Sequence, residues 1–183
     1  MKYQQLTRQL AMLGFALLVC GTVAFGQNNK EKERIAAAQE TKAAFIKTND
    51  KMSQFFNTAY GYAIFPSIGK GAVGVGGAHG NGVLFKGGAP VMRSSMTQVT
   101  VGFQWGGQAY SEVVFFEDQR AYDNFVSGKL KLAAQASAVA VTAGASFDVK
   151  YNDGVAIFTM VKGGLMYEAS VCGQKFDSNK LKN

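Results

Sequence analysis

The sequence predicts an α+β domain: N-terminal helices packed on a coiled, mostly antiparallel, Gly-rich sheet, sandwich or barrel-like. Three observations predict it. Lys30 to Phe56 contains neither Gly nor Pro and is rich in Ala, Glu, Lys and Gln. From Tyr60 onward, short apolar runs alternate with Gly-rich breaks. The 183 residues include 22 Gly against only 2 Pro, well above the roughly 7% usual for Gly and without the period of collagen.

The helical stretch carries Ile35, Ala38, Phe45, Met52 and Phe56, at the threes, fours and sevens of an amphipathic helix. Thr48-Asn49-Asp50 is a capping run, so a break is expected there. The other face mixes Lys30, Lys32, Arg34, Lys42, Lys47 and Lys51 with Glu31, Glu33, Glu40 and Asp50, either a solvated face or one that meets anionic lipid.

Three hairpins are expected next. Ala72–Gly77 and Val83–Lys86 flank His79-Gly80-Asn81-Gly82. Met96–Trp105 and Ala109–Phe116 flank Gly106-Gly107. Val155–Val161 and Leu165–Val171 flank Lys162-Gly163-Gly164. Asp118 can cap a short helix, Gln119–Ser127, that Gly128 ends. Lys129–Thr142 has apolar residues at period two, a strand pattern whose Ala content also suits a helix. Gly within strands marks bulges, coiling or close packing. Lys175, Lys180 and Lys182 fall in a polar tail.

Residues 1–26 have the form of a signal peptide, with Lys2 and Arg8 before the uncharged run Leu10–Val19 and Ala24-Phe25-Gly26 as a cleavage site. A membrane span needs about twice that length. The expected mature protein is residues 27–183 as a single domain, exported to the periplasm or cell envelope. Lipidation at Cys20 is disfavoured by the bulky Val19 before it. Removing Lys2 and Arg8 from the 19 basic residues leaves 17 against 12 acidic, a net +5. That balance favours anionic partners.

Composition excludes several chemistries. One His and two Cys rule out multi-His and Cys-only metal sites. Gly69-Lys70-Gly71-Ala72-Val73-Gly74 matches a dinucleotide pattern, but a poor helix former follows it and Arg93 stands where an acid belongs. His79 lies in an expected turn without a neighbouring nucleophile, and Cys172 reads as an inert buried thiol. Glu117-Asp118 reads as a helix start rather than a catalytic pair. Basic residues are scattered, unlike a nucleic-acid surface. No enzyme activity, metal or cofactor is expected.

Several segments, in order, resemble one family. Ala59-Tyr60-Gly61-Tyr62-Ala63-Ile64-Phe65-Pro66-Ser67-Ile68-Gly69-Lys70-Gly71 resembles the entry to a SYLF domain. Gly74–Leu84, Val101–Gln108, Phe125–Gly144 and Gly163–Gly173 are similar to its later Gly-rich and Ala-rich stretches. The resemblance spans nearly all of residues 27–183. It implies a non-enzymatic lipid-binding module, since eukaryotic relatives recognise phosphoinositides and some fungal ones bind actin. The expected partner is therefore anionic phospholipid or a membrane surface, with a protein partner as the alternative and no nucleic acid. Candidate head-group contacts are Lys70, His79, Lys86 and Arg93, each at or near a Gly-rich segment where backbone N–H groups can approach an anion.

Overall fold

A computed structural model describes residues 29–181, apart from 74, 102–107, 131, 133–136, 145–148, 163–168 and 171–172. The signal-peptide segment and Cys172 lie outside the described residues. The chain divides into two compact units, 1–33 with 182–183, and 34–181. Of the first, only 29–33 are described, as helix.

Residues 29–48 form helix α1, and Met52–Thr58 form α2. The break falls where the capping run predicts it. Asn49 N–H donates to the Phe45 carbonyl at 3.0 Å, while Asn49 Oδ1 accepts from Lys51 N–H at 3.2 Å. Ala38, Phe45, Met52 and Phe56 are buried, so the helical stripe is the packed face. They join Tyr62, Ile64, Val83, Phe85, Val113, Phe115 and Phe158 of the sheet in one core. Phe56 meets Tyr62 and Phe115 edge-on, at 5.0 and 4.9 Å between ring centroids.

The strands are β1 (Gly61–Val73), β2 (Val75–Lys86), β3 (Ala89–Val101), β4 (Gln108–Phe116), β5 (Ser137–Ala140), β6 (Val155–Val161), β7 (Ala169–Ser170) and β8 (Gln174–Lys180). Helix α3, Gln119–Val126, lies between β4 and β5. The sheet order is β7-β5-β6-β4-β1-β2-β3-β8, antiparallel except for the parallel β5–β6 pair. Asp118 caps α3 through Oδ1, which accepts from Ala121 N–H at 2.8 Å. Gly128 follows the helix with φ of 67°. The Ala-rich run supplies strand β5 over its described part, with Ala138 in one core and Val139 against the other.

The other face of the sheet holds a second core: Ala63, Phe65, Ile68, Leu84, Met96, Val114, Phe116, Ile157 and Phe176, closed by Ala121, Tyr122 and Phe125 of α3. A register shift between Ile64 and Ser67 marks a bulge at Pro66, which has no N–H to give the ladder. The Ser111 hydroxyl donates to the Pro66 carbonyl at 2.8 Å. The bulge changes which side chains face this core, from odd positions (Ala63, Phe65) to even (Ile68).

The sheet is strongly curled. Phe125 touches Phe116 of β4 and Phe176 of β8, at 4.8 and 4.9 Å between centroids. Those strands stand four places apart in the order, about 19 Å if the sheet were flat. Glu112 of β4 and Gln174 of β8 also hydrogen-bond, at 3.0 Å. Among the described residues no backbone ladder joins β8 to β4. The sheet is thus barrel-like in curvature but open, with α3 filling the gap.

The pairing corrects the first two expected hairpins, and the third falls largely outside the described residues. His79-Gly80-Asn81-Gly82 is not a turn but the middle of β2, with Asn81 opposite Ser67 and Ser95. The reason is steric. A Cβ on Gly80 would lie 2.6 Å from Ile68 Cγ1, and one on Gly82 would press on the Ile64 carbonyl and lie 2.7 Å from the Phe65 ring. These glycines admit close packing, and the turn after β2 is Gly87-Gly88, with φ of 56° and 81°. β3 and β4 do not pair, because β1 and β2 lie between them. Of the third hairpin's second arm only β7 is described, and it pairs with β5; residues 163–168 and 171 lie outside the described residues.

Two outcomes check this packing. Gly82→Ala should lower stability by roughly 1–3 kcal/mol, the cost of overpacking. Gly69→Ala, where a Cβ meets nothing within 4 Å, should leave stability unchanged or raise it by up to about 1 kcal/mol. Urea melts of both variants measure the contrast, and equal effects would contradict the close approach. Asp118→Ala should cost about 1 kcal/mol, the worth of an N-cap, in the same melts.

Candidate functional site

Side chains alternate along β2, β3 and β8, so positions opposite the α3-side core share one outer face. Three cross-strand rows follow from the register. His79, Thr97 and Lys175 form one; Asn81, Ser95 and Asp177 the next; Val83, Arg93 and Asn179 the third. Val83 is covered by the α1–α2 core. His79, Asn81, Thr97, Lys175, Asp177 and Asn179 are exposed.

Arg34 of α1 meets this face. Arg34, Asn81, Arg93, Ser94, Ser95 and Asn179 line an open cleft of about 190 Å³. Helix α1 brings Arg34 there because Ile35 and Ala38 on its neighbouring face pack with the sheet. Arg120 pairs with Asp118 and Asp153, and no ion pair between described residues joins a carboxylate to Arg34 or Arg93.

The four sequence-derived candidates do not converge. His79 and Arg93 share the outer face, four residues apart along the strands, or about 13 Å. Lys86 ends β2 beside α3, with its ammonium 4.8 Å from the Tyr60 ring centroid and 5.4 Å from that of Tyr122. A hydrogen bond to Tyr60 holds the Lys86 pKa above its usual value. Lys70 stands opposite Ala78 and Gln108. That is nine residues along β1 from Gly61, the partner of Lys86, about 30 Å of strand. Its side chain lies outside the described residues.

Sequence reasoning did not single out Asn81 and Asn179, which line this cleft, and read Arg34 only as part of a charged helix face. Lys175 and Lys180, expected in a polar tail, belong to β8, paired with β3; Lys182 lies outside the described residues. The missed signal was the alternation of buried Gln174 and Phe176 with exposed Lys175 and Asp177, a period of two.

A buried polar group lies on the inner face. Tyr110, Glu112, Gln98, Gln174 and Thr159 are at most 4% exposed. Burial, and then the nearby charge of Glu112, push the Tyr110 phenol well above its ordinary pKa. Burial also raises Tyr122 and Tyr151. Among the described residues no group of three His, Cys, Asp or Glu is placed to hold a metal ion. No helix among them is long and apolar enough to cross a membrane.

Residues 97–183 match a family model described as Ysc84, Las17-binding protein actin regulator. A protein of Aeromonas veronii, Beta cell expansion factor A, is 30% identical over 152 residues. That match covers 80% of this chain and 57% of the relative, so the chain spans little more than half of that protein's length. The family match takes in β4 to β8 and begins after Arg93.

The tyrosines set an alkaline limit. Above pH about 10 the unfolded chain releases phenolic protons that the folded chain keeps. Stability is therefore full below that pH and falls as pH rises. Tyr110→Phe should flatten part of this decline in urea midpoints measured from neutral to strongly alkaline pH; an unchanged slope would contradict the assignment.

Proposed function

We propose that this chain, which belongs to the Ysc84 (SYLF) family over residues 97–183, is a binding domain that meets anionic phospholipid at a membrane surface. The observation that carries this reading is the outer face of β2, β3 and β8. Arg34, Arg93 and Lys175 stand on or beside it, with Asp177 as the carboxylate of the three rows. Each cation near an anionic leaflet contributes about 1 kcal/mol, and the attraction fades within about 8 Å at physiological salt. Three cations support weak, reversible association that salt weakens. No reaction is assigned.

The signal-like residues 1–26 support export, so the lipid surface in this reading is that of the cell envelope. His79 and Arg93 remain head-group contacts. Lys86, held between two tyrosines on the far side of the sheet, is structural in this reading, and Lys70 keeps its proposed place at the other end of β1. A second reading, docking of a protein, is favoured by the family's own description as a Las17-binding actin regulator.

Flotation with vesicles decides between the readings. The full chain should float with phosphatidylglycerol vesicles and not with pure phosphatidylcholine, and added salt should release it. Binding to both lipids alike, or to neither, would contradict the lipid reading. Arg93→Gln with Lys175→Gln should weaken vesicle binding about thirtyfold without moving the melt, since about 2 kcal/mol is removed.

A further inference from the structure

We propose that the cleft between Arg34 and Arg93 is a discrete site for one phosphate monoester group. The inference rests on the anionic-surface reading above and narrows it from a charged face to a defined pocket. Four elements build the site: α1 supplies Arg34, β2 Asn81, β3 Arg93 and Ser95, and β8 Asn179. Each of these five side chains can donate hydrogen bonds, and none is a carboxylate. Ser94, which also lines the cleft, spends its hydroxyl on the Asp177 carbonyl at 3.1 Å, close to the Ser178 hydroxyl at 3.3 Å.

Two guanidinium groups facing one small cleft repel each other. Neither has an ion-pair partner among the described residues, so an anion between them relieves the repulsion. Guanidinium forks match the oxygens of a phosphate in paired hydrogen bonds. Their two charges suit a phosphate monoester, which carries about −1.5 to −2 at neutral pH, better than a singly charged diester. The two asparagine amides and the Ser95 hydroxyl add neutral donors for the remaining oxygens. Asp177 stands on β8 in the same row as Asn81 and Ser95, directly opposite Ser95 at the edge of the cleft, and its charge opposes the anion. His79 and Lys175 lie a further row along.

Phosphate monoesters occur as lipid head groups and as free solutes, and the test separates the two. The probes are glycerol 3-phosphate in solution, followed by calorimetry, and vesicles of phosphatidylcholine containing either phosphatidic acid or phosphatidylglycerol. Glycerol 3-phosphate should bind one to one. Arg34→Gln and Arg93→Gln should each weaken it about tenfold or more, the loss expected for a charge-assisted contact. Arg93→Lys should recover part of the loss, Asp177→Asn should tighten binding, and Lys86→Gln on the far side should change nothing. Phosphatidic acid vesicles should bind more strongly than phosphatidylglycerol vesicles, with the preference lost in both arginine variants. If vesicles bind but glycerol 3-phosphate does not, and neither arginine variant matters, the pocket is refuted while the membrane reading survives. If glycerol 3-phosphate binds through both arginines but no vesicle does, the pocket stands as a site for a free monoester and the membrane reading falls.

Discussion

The close approach of β1 to β2 at Gly80 and Gly82 is the constraint on which the rest of the molecule depends. Ile68 and Phe65 occupy the space where side chains of those residues would stand. Large β1 side chains can thus fill the inside of the curl where β2 offers only Gly80 and Gly82, between Ala78 and Leu84. The Pro66 bulge keeps the β1 side chains pointing inward on both sides of the kink. With that geometry, strands four places apart share α3, through Phe116, Phe125 and Phe176. Buried aromatic rings of this kind each contribute a few kcal/mol, so the curl is held by packing as well as by backbone pairing. The Glu112–Gln174 bond ties the same two strands beside a phenol that stays neutral.

The curl also decides which face is available for binding. The inner face is occupied by core and α3. The outer face is covered by α1 and α2 over Val83, Phe85, Val113 and Phe115. What remains is the far part of β2, β3 and β8, and there the exposed residues are polar or charged. Arg34 of α1 lines one cleft there with Arg93. Among the described residues this polar face therefore lies on strands β2, β3 and β8 and not on any Gly-rich loop.

Much of the helical structure was legible because its signals are local. The stripe from Ile35 to Phe56, the break at Asn49 and the Asp118 cap depend on residues within a turn or two of each other. The strand pairing was not legible for a physical reason. Glycine serves equally where φ must be positive, as at Gly87 and Gly88, and where a Cβ has no room, as at Gly80 and Gly82, and composition does not separate the two uses. Insertion of β1 between β2 and β4 is a long-range choice that no local pattern encodes. Strand β8 was hidden by its charge, since an edge strand with an outward lysine resembles a tail. Of the four candidate site residues, Arg93 stands in the cleft and His79 shares its face, while Lys86 ends β2 at the Gly87-Gly88 turn on the α3 side of the sheet.

The most direct measurement is NMR of the arginine Nε–H and asparagine amide signals of the full chain as anionic bicelles are added. The account predicts shifts concentrated at Arg34, Arg93, Asn81 and Asn179, with Tyr60, Lys86 and Tyr122 unmoved. Shifts centred on Lys86, or spread evenly over every exposed cation, would contradict it.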